Sequence, residues 1–354
     1  IAAMHHSQMK SEVRRLIAEG TVLPAHPLAL DANRKLDTIH QRALTRYYID
    51  AGAGGLAVGV HTTQFAIREV GLYRQVLELA AETAAAWTRR PLALVAGLAG
   101  PTRQAIAEAG IARGIGYHAG LLSLAAMKSA SENEIIAHCE SIAREIPLVG
   151  FYLQPAVGGV ILSADFWRRF AGIDNVIAIK IAPFNRYRTL DVLRGVCAAG
   201  ALDRIALYTG NDDHILLDLA LPFDLRDRGV TVRTYFRGGL LGHWSVWTES
   251  AIKQFEMCRA ARHKDTVPSD LLALDARVTD CNSAFFDVAN NFHGCIAGCH
   301  EILRRQGLLK GIWCLDPAEG LSPGQIQEID RVCNEHADLA DDDFVAAHLQ
   351  KWLA

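Results

Sequence analysis

No stretch of this 354-residue chain is apolar for long enough to cross a bilayer, and none gathers lysine and arginine with interleaved aromatics. Net charge is close to absent as well, at a formal −3 from 36 basic and 39 acidic side chains. Nucleic acid and anionic membrane are therefore poor partners, and a small neutral or acidic ligand is expected. Ile1 to Gly20 lacks a hydrophobic core followed by a small-residue cleavage site, so the protein is expected to be soluble and unexported. The eight cysteines lack the close spacing of a disulfide scaffold, which points to reduced thiols and the cytoplasm. A dinucleotide fingerprint is missing too: Gly52, Gly54 and Gly55 precede a strand-like run instead of opening a helix.

What is present is a large apolar share, 50% of residues, arranged as an alternation. A helical segment over Ser11–Glu19 comes first, and residues 1–20 read as an N-terminal helix. Strand-like runs follow at Thr21–Leu30, Leu56–Val60, Leu92–Ala96, Tyr117–Leu124, Pro147–Leu153, Val176–Ile181, Arg204–Tyr208 and Val230–Phe236, separated by helix-like segments. Eight such units over residues 21–262 predict an α/β fold of the (β/α)8 TIM-barrel kind in preference to a doubly wound sheet. Beyond Arg262 the alternation stops. Residues 263–354 read as a C-terminal helical region packed on the barrel, because Phe285, Phe286, Phe292 and Ile296 cover more than one face.

One charge stands where charge is expensive. Of the eight lysines only Lys180 interrupts a strand-like apolar run, Val176–Ile181. Burial disfavours the ammonium and favours the neutral amine, the form that attacks a carbonyl carbon to make a Schiff base. A strand-end lysine can equally snorkel to solvent or pair with a carboxylate, and this stretch alone leaves both open. In a barrel, chemistry gathers at the C-terminal ends of strands. Tyr152 stands at the end of the fifth run, His61, Thr62 and Thr63 after the second, and Gly210 and Asp212 after the seventh.

These stretches, in this order, resemble the dihydrodipicolinate synthase and N-acetylneuraminate lyase superfamily of pyruvate-dependent class I aldolases. Its Schiff-base lysine follows its catalytic tyrosine by 28 positions, and here 180 − 152 = 28. The resemblance implies a (β/α)8 barrel, an imine on Lys180, a proton shuttle at Tyr152, and a keto-acid carboxylate bound by Thr62 and Thr63. It implies substrate contacts from His61, Gly210 and Asp212, no cofactor, no metal, a 2-oxo acid and an aldehyde as substrates, and a homo-dimer or tetramer. The sequence departs from the family in three places. His61-Thr62-Thr63-Gln64-Phe65 replaces Gly-Thr-Thr-Gly-Glu, Ala156-Val157-Gly158 stands where synthases carry an arginine, and Leu124-Ala125-Ala126-Met127 replaces an aromatic pair. The lysine-biosynthetic reaction is therefore not expected, and the Tyr152–Leu162 and Leu207–Asp212 stretches look closer to the lyase branch.

The expected activity is a metal-independent aldolase or lyase. The alternatives are a hydratase or dehydratase of a keto-deoxy sugar acid by the same imine chemistry, and a non-catalytic binding barrel. His243 and Trp244 are candidates to line the mouth beyond the eighth strand, and Arg237 to clamp a carboxylate. Cys295, Cys299 and His300 lack the second cluster of a zinc site and are expected to be structural. His5-His6 carries no functional reading.

Overall fold

The computed structural model describes residues 2–354. A 3-10 turn at His6–Gln8 precedes helix α1 (Ser11–Glu19) and strand β1 (Val22–Pro24). The repeating units are α2 (Thr38–Ala51) with β2 (Gly55–Val58), α3 (Tyr73–Trp87) with β3 (Ala93–Leu98), α4 (Thr102–Ile115) with β4 (Ala119–Leu122), and α5 (Glu132–Ala143) with β5 (Leu148–Leu153). Next come α6 (Ala164–Ala171) with β6 (Val176–Ala182) and α7 (Arg186–Ala198) with β7 (Ala206–Thr209). After α8 (Ile215–Ala220) an antiparallel hairpin, β8 (Phe223–Asp227) and β9 (Val230–Thr234), leads to β10 (Gly238–Leu241). Helices α9 (Thr248–Ala261), α10 (Ser269–Phe285), α11 (Cys295–Arg305), α12 (Gln325–Glu335) and α13 (Asp342–Leu353) complete the chain.

Eight strands form one parallel sheet in the order β1-β10-β7-β6-β5-β4-β3-β2, and a bridge between Ala25 and Ala57 brings its two edges together. The fold is the TIM barrel with C-terminal helices. Local chemistry sets its boundaries. Asp37, Ser131, Ser163 and Asn185 accept backbone N–H bonds at the starts of α2, α5, α6 and α7, and Gly52 and Gly116 end α2 and α4 at positive φ.

The eighth barrel strand is not Val230–Phe236. That run is the outer strand of the hairpin, with Val230 and Thr231 exposed, and the barrel closes through Gly238–Leu241 instead. The glycine pair reads as a turn in sequence, yet a Cβ on Gly238 would stand 2.3 Å from the Thr21 carbonyl oxygen and one on Gly239 2.8 Å from the Trp244 ring. Only glycine fits this closure.

The inside of the barrel is filled by small and medium side chains, among them Ala57, Ala93, Val95, Ala119, Leu121, Val149, Ala178 and Leu240. Met9, Val13 and Ile17 of the N-terminal segment join this cluster and seal the end where the strands begin. Tyr208 donates its hydroxyl to the Ile17 carbonyl at 2.8 Å, tying the plug to β7. A second, larger core lies between the strands and the helices around them.

Candidate active site

The strand pairing decides which side chains look inward. Along β5 and β6 Leu148 pairs with Val176 but Val149 pairs with Ala178, so the register slips by one residue at Ile177. From there Phe151 lies beside Lys180, and Tyr152 beside Ile181. Paired residues in a parallel sheet share a face, so Phe151 and Lys180 point into the barrel while Tyr152 and Ile181 point to the helices.

Tyr152 is therefore not at the proposed chemistry. Its hydroxyl donates to the Leu162 carbonyl at 3.0 Å and accepts from the Leu162 N–H at 3.1 Å, and its ring packs on Trp167. It pins the loop after β5. The 28-residue spacing holds in sequence, but the slip in register turns the phenol outward. Beside Lys180 stands the Phe151 ring, its centroid 4.4 Å from Nζ.

Lys180 lines a cavity of about 80 Å³ at the C-terminal mouth, together with His61, Thr62, Gln154, Gly210 and Asp212. Burial pulls its amine below the ordinary value, and the Asp212 carboxylate works in the opposite direction. Burial likewise raises the Asp212 carboxyl, with the Lys180 charge opposing and Asp213 adding to the rise. Its Oδ1 has no hydrogen-bond partner. An amine and a carboxyl brought toward one another in protonation tendency can exchange a proton at little cost.

Two structures hold Asp212 in place. Below it, Asn211 donates to Asp218 at 2.9 Å and accepts from the Phe184 N–H at 3.1 Å, while Thr209 donates to Asp218 at 2.8 Å and Arg186 pairs with Asp218 at 2.7 Å. Above it, Asn282 of α10 donates to the Asp212 carbonyl at 2.8 Å and Thr279 to the Asp213 carbonyl at 2.9 Å. Gly210 is there for room: a Cβ would meet Lys180 Cε at 2.7 Å.

The loop after β2 divides. His61 and Thr62 line the cavity, whereas Thr63 does not; its hydroxyl donates to the His26 carbonyl at 2.7 Å and accepts from the Gly59 N–H at 3.0 Å. Burial, with the Lys180 charge adding to it, pushes His61 down to about 4, so its imidazole is neutral at neutral pH. Gln64 accepts from the Leu315 N–H at 2.8 Å and ties this loop to the C-terminal region.

Arg237 precedes β10 and so stands at the other end of the barrel, where it cannot clamp a ligand at the mouth. Trp244 is buried against Gly239 and Phe255 and acts in packing. His243 is buried on Phe285, its imidazole pushed down to about 4 by burial. Cys295 and Cys299 of α11, expected to be structural, line the cavity beside Phe286, Phe292 and Ile296. Burial pushes the Cys295 thiol up to about 12 and raises that of Cys299 as well, so both are neutral walls. His300, on the same helix, is a buried core residue. His5 and His6 meet Asp174, which precedes β6 at the plugged end. Sequence reasoning missed Phe151, Phe184 and the roof of α10 and α11. Only the inward alternation Val149-Phe151-Leu153 carried a signal for the first of these.

The chain matches the family model described as the dihydrodipicolinate synthetase family over residues 19–224. Among solved structures, it is similar to a chloride-inhibited dihydrodipicolinate synthase from Acinetobacter baumannii complexed with pyruvate (TM-score 0.73, 19% identity, covering 90% of this chain and 99% of that one). It is also similar to CdNal from Clostridium difficile in complex with mannosamine (0.71, 16%, 89% and 98%) and to a dihydrodipicolinate synthase from Oceanobacillus iheyensis (0.72, 14%, 92% and 99%). At these identities the likeness establishes the fold alone. No curated protein sequence matches the chain. The family match, spanning more than half of the chain and every barrel strand except β10, establishes that this protein belongs to the dihydrodipicolinate synthetase family.

Proposed function

We propose that this protein is a Schiff-base-forming aldolase or lyase acting on pyruvate or a related 2-oxo acid. The observation that carries the reading is a desolvated amine, Lys180, in a small cavity at the mouth of a barrel whose family supports lyase or aldolase chemistry. Neutral Lys180 adds to the keto carbon, and loss of water leaves a protonated imine that draws electrons from the neighbouring carbon. The cation then lies against the face of Phe151, an attraction of about 1–2 kcal/mol when desolvated.

With Tyr152 turned away, proton transfer falls to Asp212, whose carboxyl is raised by burial and interacts with the amine. Thr62 and the neutral His61 are donors for the keto-acid carboxylate. The test is incubation with pyruvate and borohydride followed by mass spectrometry: a reduced adduct on Lys180 is expected, and its absence with every 2-oxo acid tried would remove the reading. The outward phenol also favours a second reading, a barrel that binds a 2-oxo acid without turning it over. An adduct without retro-aldol or dehydration activity would mark that outcome. We further expect a cytoplasmic homo-oligomer, in keeping with the family and with eight free thiols. No described helix is long and apolar enough to cross a membrane.

A further inference from the structure

We infer that the carbonyl partner condensed with, or released from, the keto acid carries a short, uncharged alkyl arm, and that Phe184 and Phe292 select it. This rests on the imine reading of Lys180 given above. Beyond the amine, the cavity walls are Leu153, Val157, Phe184, Phe286, Phe292 and Ile296. Among the described lining residues there is no arginine and no lysine other than Lys180. The second substrate meets that nitrogen as a neutral enamine, so a carboxylate on it would be buried with no cation to receive it. A polyhydroxylated chain fares little better. Each hydroxyl needs a partner when desolvated, and Thr62, His61 and Gln154 are too few to pair a long polyol while also holding the keto acid.

The two phenylalanines are placed there against backbone preference. Phe184, just past β6, has φ +50°, and Phe292, before α11, has φ +65°. Bulky residues avoid this region, and such strain persists only where surrounding structure fixes it. Here it does: the Phe184 N–H is held by buried Asn211 at 3.1 Å, and the Phe292 N–H by the Asp287 carbonyl at 2.9 Å. The result is an edge-to-face pair with centroids 5.9 Å apart, formed by residues more than a hundred positions apart in the chain. At about 80 Å³ the cavity is roughly half the size of one known to take benzene (~150 Å³), so the arm must be short.

The chemistry balances without another reactant. Loss of a methyl proton from the pyruvate imine to Asp212 gives the enamine, whose terminal carbon bonds to the aldehyde carbon. The carbonyl π electrons become an alkoxide that recovers the proton from Asp212, and water then hydrolyses the imine to a 4-hydroxy-2-oxo acid and free Lys180.

The experiment measures kcat/KM for pyruvate with propanal, 2-methylpropanal, D-glyceraldehyde and succinic semialdehyde, alongside borohydride trapping of the pyruvate adduct. We expect the two apolar aldehydes to exceed the two polar ones by ~10-fold or more. In Phe292→Gly, where glycine suits the φ and folding is spared, that preference falls to within ~3-fold. Adduct formation with a polar aldehyde equal or preferred, or with none of the four accepted, overturns this inference and leaves the imine intact. No adduct at all overturns the imine reading itself.

Discussion

The two ends of the barrel are made by the same eight strands and treat polar groups in opposite ways. Where the strands begin, α1 seals the interior, Tyr208 is bonded to the Ile17 carbonyl, and Asn175 accepts from the His6 N–H and donates to the Met4 and Ala143 carbonyls. Where they end, Asp212 Oδ1 is buried without a partner, and the Lys180 amine faces an aromatic ring and a carboxyl. Native proteins leave few buried polar atoms unpaired. The difference teaches that one end is built for stability and the other keeps an amine and a carboxyl facing a cavity.

The largest expected effect falls at the open end. Lys180→Ala should lower kcat/KM by ~10⁴-fold or more in steady-state assays, while its unfolding free energy stays at or above the parent's because a desolvated amine is removed. Retained turnover would erase the contrast between the ends. Asp212→Asn comes next, with a loss of ~10²–10³-fold in kcat. It should also move the pH profile. Because neutral amine is required, kcat/KM rises with pH through the value of the Lys180 amine, which burial holds below its ordinary ~10.4. Asp212 raises that value, so its removal shifts the rising limb to lower pH; a shift to higher pH would contradict the pairing.

At the sealed end, Ile17→Ala should cost ~2–4 kcal/mol in denaturant unfolding and leave kcat/KM within ~3-fold. A collapse of activity in a folded Ile17→Ala would show that the ends are not separable. The smallest effect is expected at Tyr152. Removing its hydroxyl in Tyr152→Phe takes away two backbone bonds to Leu162, for a loss of ~1–2 kcal/mol in stability and ~3-fold or less in kcat.

Much of this was legible in the residues, and what was not has physical causes. The strand-helix alternation is written in local patterning, so the barrel could be read from it. Lys180 could be read because a charge within Val176–Ile181 breaks an apolar run. Strand eight is not legible because Gly238-Gly239 reads as a turn, and only the close approach of Thr21 and Trp244 makes it a strand. Counting along the chain puts Tyr152 opposite Lys180, and a single slip at Ile177 puts Phe151 there instead. The roof formed by Phe286, Phe292, Cys295 and Cys299 comes from α11 and the loop before it, more than a hundred residues past Lys180, and no local pattern says that they fold back over the mouth.

The central claim is that an imine at Lys180 is served by Asp212 and not by the phenol of the fifth strand. A crystal structure of the borohydride-reduced pyruvate adduct tests it most directly. We predict the adduct on Lys180 Nζ with an Asp212 oxygen within hydrogen-bond reach and the Tyr152 hydroxyl still bonded to Leu162. A Tyr152 hydroxyl turned inward onto the adduct would contradict the account.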